Sequence, residues 1–182
     1  MNCNDLISVI IPLYNMEKYI SDALNSVITQ TYKNWEIIII DDASKDNSPL
    51  IAKKFECNNI KLICLNEHKG PAYSRNIGIK NSKGRYITFL DADDIWKKEK
   101  LEKQLNFLKN NNYVFTFTGY EYADEFGLGT GKIVHVPNEI NYKNMLKNTI
   151  ISTITVMIDR KNIIDENLFM PTTTAREDFA AW

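Results

Sequence analysis

Four runs of apolar residues recur along the first half of the chain, each followed by a polar break and then by residues at helical spacing. They are Leu6–Ile11 (LISVII), Trp35–Ile40 (WEIIII), Ile60–Leu65 (IKLICL) and Tyr86–Leu90 (YITFL). Strands apolar on nearly every position are buried on both faces, the pattern of a parallel sheet covered by helices. Pro12 is expected to end the first strand, because proline donates no ladder hydrogen bond. Ile20, Leu24, Val27 and Ile28 fall on one helical face, which predicts a helix from Glu17 to Gln30. Pro49, just after Ser48, suits the first turn of a helix running through Phe55. Gly70-Pro71 opens a third helix that ends near Asn81, and Leu101, Leu105 and Leu108 mark a fourth that ends at Asn110–Asn112. Strand and helix alternate four times, so the class is α/β: a Rossmann-like, mostly parallel sheet with helices on both faces.

Beyond Tyr113 the pattern loosens. Tyr113–Tyr120 alternates as a strand, Glu121–Gly131 reads as an acidic, glycine-rich loop, and Lys132–Val136 as a short strand. Asn141–Asn148 suits a short helix, Thr153–Ile158 a further strand, and 160–176 a loop. The last residues, REDFAAW, enter a helix that has barely one turn at Trp182. So short a helix is marginal, and the expectation is a C-terminally truncated piece of a longer protein. No internal repeat or low-complexity linker divides the 182 residues, so they are read as a single domain.

Composition narrows the partners. Lys and Arg number 22 against 23 Asp and Glu, a net charge of −1, so nothing draws the chain as a whole to nucleic acid or an anionic membrane. Phosphate binding, if present, must be local. No apolar run is long enough to span a bilayer, and Met1 begins no signal-peptide pattern. Cys3, Cys57 and Cys64 form no CxxC pair, which argues against a zinc site or a disulfide framework and for reduced thiols in the cytosol. His68 and His135 stand alone and are expected to be ordinary surface or core histidines.

Ligands of open α/β sheets bind beyond the carboxyl ends of the strands. After the first run comes Pro12-Leu13-Tyr14-Asn15, and after the second Asp41-Asp42. After the third come Asn66, Glu67 and His68 with Gly70 at the next helix start, and after the fourth Asp91, Asp93 and Asp94. Three carboxylates within four residues repel one another, so either water screens them in a capping turn or a cation neutralises them. Tyr14 offers a ring face, and Asp42 an acceptor for an imide N–H such as that of uracil. Asp91 and Asp93 suit a hard divalent cation bridging a diphosphate. Each also has a plain structural reading: packing for Tyr14, a turn cap for Asp42, a tight turn for Gly70. There is no GxGxxG and no GxxxxGK[ST], so a Rossmann dinucleotide site and a P-loop are weak readings.

Three segments carry a family resemblance: SVIIPLYNMEKYISDALNSVITQTYKNWEIIIIDDASKDNS (8–48), GPAYSRNIGIKNSKGRYITFLDADD (70–94) and ARED (175–178). The chain resembles the inverting family 2 glycosyltransferases, nucleotide-sugar enzymes with the A-type glycosyltransferase fold. The resemblance implies that Pro12, Leu13 and Tyr14 line the nucleotide pocket with Glu17 nearby, and that Asp42 contacts uracil. It implies that Gly70 and Arg75 lie near the donor, and that Asp91-Ala92-Asp93 is a DxD motif. In that motif Asp91 faces ribose or metal, and Asp93 coordinates Mn2+ or Mg2+. Asp178 is implied as the general base with Glu177 beside it, while Asp94 is expected to cap the next helix. Residues 1–97 then form the nucleotide-sugar half and 98–182 part of the acceptor half. The implied activity is inverting transfer from a UDP-sugar to a hydroxyl of a glycan or lipid-linked acceptor in bacterial surface polysaccharide synthesis. The implied place is the cytoplasm, with peripheral association at the inner face of the membrane left open, and no nucleic-acid partner. Two alternatives stay in view: a sugar-phosphate nucleotidyltransferase, which would want a glycine-rich loop after the first strand, and a catalytically silent nucleotide-binding fragment. Metal-dependent UDP binding separates the transferase from a plain interaction module.

Overall fold

The computed structural model of the protein describes residues 5–140, 151–163 and 168–172. The first half alternates as the apolar pattern predicts: β1 (Ile7–Leu13), α1 (Ile20–Ile28), β2 (Trp35–Asp41), α2 (Ser48–Lys53), β3 (Ile60–Cys64), α3 (Pro71–Asn81), β4 (Tyr86–Phe89) and α4 (Lys100–Asn110). Then come β5 (Phe115–Thr116), the hairpin strands β6 (Tyr120–Ala123) and β7 (Gly129–Val134), a 3-10 turn at Thr153–Thr155, and β8 (Met157–Asp159). Six strands form one sheet in the order β3-β2-β1-β4-β8-β5. β1 pairs parallel with both β2 and β4, while β8 runs antiparallel between β4 and β5. The order reverses at β1, whose neighbours are the second and fourth strands, so the crevice between β1 and β4 is the topological switch point.

Helices cover both faces. On one, Ile7, Val9, Ile11 and Leu13 of β1 pack with Leu24 and Val27 of α1, Ala52 of α2, and Leu101, Leu105 and Leu108 of α4. On the other, Ile10, Ile87 and Phe89 pack against Ala72 and Ile79 of α3, with Leu168 and Met170. Gly78 lets α3 sit close to β1: a Cβ built there would lie 2.3 Å from Ile10 Cγ2.

Several boundaries differ from expectation, each for a local reason. β1 continues through Pro12, which lies in register with Ile40 of β2. The carbonyl of Ile10 accepts from Leu90 on the β4 side, and that of Leu13 from Asp42 on the β2 side. Pro12, two residues beyond Ile10, therefore turns its nitrogen toward β4, whose paired residues end at Phe89. Its missing N–H falls where the ladder has stopped.

α1 starts at Ile20, three residues later than predicted. Asn15 takes φ 53°, and Glu17 is drawn into the neighbouring loop: its N–H donates to Asp46, and its carboxylate accepts from Asn47 N–H and Nδ2. Asp94 does not cap α4, which begins six residues later. The buried Gln30 does so instead, accepting from Leu101 N–H at 3.0 Å while its Nε2 donates to the Ser26 and Lys97 carbonyls. The predicted strand 113–120 is broken into β5 and the start of β6, and the predicted loop 121–131 contains most of the β6–β7 hairpin. The first half of the predicted strand 153–158 is a 3-10 turn. The helix predicted over 141–148 lies outside the described residues.

Candidate active site

The carboxyl ends of β1, β2 and β4 bring together most of the residues singled out from the sequence. Tyr14 follows β1 and is half-buried. Pro12 is partly exposed, but the side chain of Leu13 is fully buried among core residues, so only its backbone faces the strand end. Ala92 is likewise buried in the core.

Asp42, one residue past β2, is the anchor of this edge. Its carboxylate accepts from Lys69 N–H at 2.8 Å through Oδ1 and from Gly70 N–H at 2.7 Å through Oδ2. Gly70 adopts φ 89°, a left-handed conformation that favours glycine, and so turns two successive amides toward one carboxylate. It is also the N-cap residue of α3, with Pro71 following inside the helix. The half-exposed His68 completes the group. Its Nδ1 lies 2.8 Å from Asp42 Oδ2, and its ring stacks on Tyr14 with centroids 4.0 Å apart. From the sequence His68 is one of three polar residues after the third strand and is expected to be an ordinary surface or core histidine; instead it bridges Tyr14 and Asp42. Its two contacts depend on Tyr14 and Asp42 from other strands, which no local pattern reveals. The neighbouring Asp41 is buried, and burial raises its carboxyl above the usual range.

At the end of β4 the three carboxylates differ. Asp91 Oδ1 accepts from Arg75 Nη2 at 2.6 Å, and the arginine, on α3, is itself buried. Arg75 is thus a fixed cation that holds Asp91 and reduces the like-charge repulsion in the cluster. Asp93 is exposed at the strand end. Asp94 is partly buried, its N–H bonded back to the Asp91 carbonyl, and burial followed by the charges of Asp91 and Asp93 pushes its carboxyl up to about 6. Among the described residues the ion pair to this cluster is that of Arg75, so the cluster carries more negative charge than the described residues balance.

This donor set suits a hard divalent cation. Among the described residues no group of three His, Cys, Asp or Glu side chains could hold a metal by itself. Mg2+-type sites use one or two carboxylates and complete their shell with water and substrate phosphates, and Asp91 and Asp93 would supply the carboxylate part of such a shell. Glu17 reaches the adjacent loop, as described above, and fastens the β1–α1 and β2–α2 connections together. Asp178 and Glu177 lie outside the described residues.

Beyond Asp93 and Asp94 an open cavity of about 720 Å³ extends between α4 and the β6–β7 hairpin, lined among others by Trp96, Lys100, Tyr120 and Tyr122. The Lys100 ammonium sits 4.1 Å from the centre of the Trp96 ring and donates to Gln104 Oε1 at 2.8 Å. Burial pulls its pKa down to about 7. Trp96 is fixed in turn by Nε1 donating to the Ile154 carbonyl. The sequence reading assigned no task to either residue.

The mostly parallel six-stranded α/β sheet with helices on both faces is the A-type glycosyltransferase fold. The sequence profile of glycosyl transferase family 2 matches residues 8–168, and the chain belongs to that family. It is 42% identical over 183 residues to TuaG of Bacillus subtilis (strain 168), whose name assigns it provisionally to teichuronic acid biosynthesis as a glycosyltransferase. That match covers 100% of this chain and 72% of the relative. It is 40% identical over 177 residues to WfgD of Escherichia coli, a UDP-Glc:alpha-D-GlcNAc-diphosphoundecaprenol beta-1,3-glucosyltransferase, covering 97% of this chain and 68% of the relative. Among solved structures, TarS 1-349 from S. aureus in complex with UDP-GlcNAc superposes with a TM-score of 0.77 at 26% identity, over 96% of this chain and 51% of that one. The chain thus spans about half the length of the structure it matches. No helix of the described residues is long and apolar enough to cross a membrane.

Proposed function

We propose that this chain is the donor-binding and catalytic part of an inverting glycosyltransferase. It moves a sugar from a UDP-sugar to a hydroxyl of a glycan or lipid-linked acceptor, in bacterial surface polysaccharide synthesis at the cytoplasmic side of the membrane. One observation carries the reading. An aromatic face (Tyr14), a hydrogen-bonded carboxylate (Asp42) and an under-neutralised carboxylate cluster (Asp91, Asp93, Asp94) share the edge of the sheet at its switch point. The UDP-GlcNAc complex of TarS and the diphosphoundecaprenol acceptor in the name of WfgD support the donor and acceptor classes.

In this reading Pro12, Tyr14 and the backbone of Leu13 line the base pocket, and Asp42 accepts the uracil imide N–H. Gly70 shapes the turn that holds Asp42, and Glu17 braces the loop beside it. Arg75 positions Asp91, and Ala92 seats the motif in the core. Asp91 and Asp93 would hold Mn2+ or Mg2+. The cation, when bound, supplies Lewis-acid stabilisation of the charge that develops on the departing diphosphate. Asp178 takes the proton from the attacking acceptor hydroxyl, with Glu177 next to it. Attack from the face opposite the leaving group inverts the anomeric centre in a single displacement. Residues 1–97 serve the donor and 98–182 the acceptor, which enters through the aromatic-lined cavity beside Asp93. The part-exposed rings of Tyr120 and Tyr122 suit a sugar there, because each pairs an apolar face with a polar atom.

Calorimetric titration with UDP, with and without Mn2+, tests the donor half of the proposal. Binding is expected to depend on the metal in the parent protein, and Asp93→Ala is expected to remove that dependence. Metal-independent binding in the parent, or an unchanged metal requirement in Asp93→Ala, would overturn it.

A further inference from the structure

His68 has no task in the donor site as just described, yet it touches both residues assigned to the base. Its imidazole stacks on Tyr14 at 4.0 Å with the rings inclined by 27°, and its Nδ1 lies 2.8 Å from Asp42 Oδ2. A carboxylate only accepts, so Nδ1 carries the hydrogen and donates. The Asp42 side chain is 3% exposed and that of His68 51%. In this arrangement a ligand has almost no surface of Asp42 to touch.

Of the three groups bonded to Asp42, two are the backbone N–H groups of Lys69 and Gly70, held by the turn at Gly70. The third is a side chain with two rotatable bonds and half its surface in water. An imidazole is a flat ring with an N–H donor at its edge. Those are the two features by which Tyr14 and Asp42 would recognise uracil. Between ligands the same features serve the protein, because a buried carboxylate is costly without enough hydrogen-bond donors.

We infer that His68 occupies the base position of the nucleotide-free protein, and that a uracil nucleotide binds only as His68 rotates out. His68 is thereby a determinant of donor affinity. The inference rests on the reading of Tyr14 and Asp42 as the base site. A nucleotide must replace the stack and the hydrogen bond that it removes, so its apparent affinity is lowered by the fraction of molecules in which the imidazole is seated.

The test uses the full chain with Mn2+, titrated with UDP in the parent and in His68→Ala, alongside thermal melts to show that both fold. His68→Ala is expected to bind UDP about tenfold more tightly, the equivalent of one hydrogen bond no longer displaced. A second readout needs no variant. The imidazole ring protons of His68, followed by NMR, are expected to lose the ring-current shift of Tyr14 as UDP saturates the site. Equal or weaker UDP binding by His68→Ala, or ring protons unmoved by saturating UDP, overturns the role of His68 while the base site stands. Absence of UDP binding by both proteins overturns the base site and this inference with it.

Discussion

Asp42→Asn separates what Asp42 does for the fold from what it does for a ligand. The parent carboxylate accepts one backbone N–H on each oxygen, Lys69 on Oδ1 and Gly70 on Oδ2, and shares Oδ2 with His68. An amide has one acceptor oxygen and one NH2, so in either orientation a donor faces a donor. Placing the oxygen at the Oδ2 position keeps the Gly70 and His68 contacts and abandons only Lys69. The opposite flip abandons both of them, so the first orientation is preferred. The cost is one hydrogen bond to a charged group, about 1.5–3 kcal/mol, with a further contribution of about 1 kcal/mol or more from the orphaned Lys69 N–H. Lys69 is exposed and water can reach it, which favours the low end, so the expected loss is about 3 kcal/mol. At this chain length that lowers the melting temperature by roughly 6–12 °C. The ligand effect should be smaller, because the retained oxygen still faces the base position and is merely a weaker, neutral acceptor. UDP affinity is then expected to fall about tenfold, near 1.4 kcal/mol. Urea unfolding gives the first number and calorimetric titration the second. A stability change below about 1 kcal/mol combined with abolished UDP binding would refute this reasoning, since Asp42 would then serve the ligand alone.

Two other side chains give sharp expectations. Arg85 makes three contacts to the buried Asp159, Nε to Oδ1 at 3.0 Å and to Oδ2 at 3.1 Å and Nη2 to Oδ2 at 2.6 Å, tying the segment before β4 to the end of β8. Arg85→Met keeps the apolar stem but leaves the carboxylate without its cation, and is expected to cost about 3 kcal/mol in urea unfolding; a loss under about 1 kcal/mol would contradict it. Lys100 has a pKa of about 7 in the folded protein because of burial, below the unfolded value of about 10.4. The folded state binds fewer protons between those values, so this residue makes stability rise with pH across that window. Lys100→Met is therefore expected to raise the melting temperature most near and below about pH 7 and to lose that advantage toward about pH 10, and a pH-independent difference would count against it.

Most of the sheet was legible because its signal is redundant. Four apolar strands, three of them buried on both faces and β3 at the edge, each followed by a helix, leave few topologies once right-handed crossovers are assumed. The errors fall where one residue serves a distant partner. Pro12 reads as a strand end, but its missing N–H matters only on the side where β4 has already finished. Glu17 suits a first helical turn, and a contact with Asn47, thirty positions away, removes it from α1. Asp94 has the right identity for a cap and the wrong distance, while Gln30, with no local cap signature, reaches α4 from the end of α1. The second half was poorly read because β5 and β8 are only two and three residues long and β7 is almost wholly exposed, so none carries an apolar period.

In the candidate site the residue types were legible, and their pairing was not. Glycine before proline at a helix start, and carboxylates after an apolar strand, are local signals. That Gly70 exists to aim two amides at Asp42, or that Arg75 neutralises Asp91, is a statement about two strand ends meeting, which sequence order does not contain.

The unequal treatment of the three carboxylates gives the site its chemical direction. Were the acidic turn only a solvated cap, its charges would point to water and need no buried partner. Instead the fold commits a buried guanidinium to Asp91, no ion pair of the described residues reaches the exposed Asp93, and burial raises the Asp94 carboxyl to about 6. Among the described residues one cation contacts the cluster, on the Asp91 side. A second built-in cation would have stabilised the protein further and closed the position. Under the proposed function leaving it open is the local inconsistency that a functional site would show. In the proposed reading that is the physical sense in which DADD belongs at a strand end: the sheet supplies rigidity, Arg75 sets Asp91 in place, and the proposed cation would complete the electrostatics with the substrate.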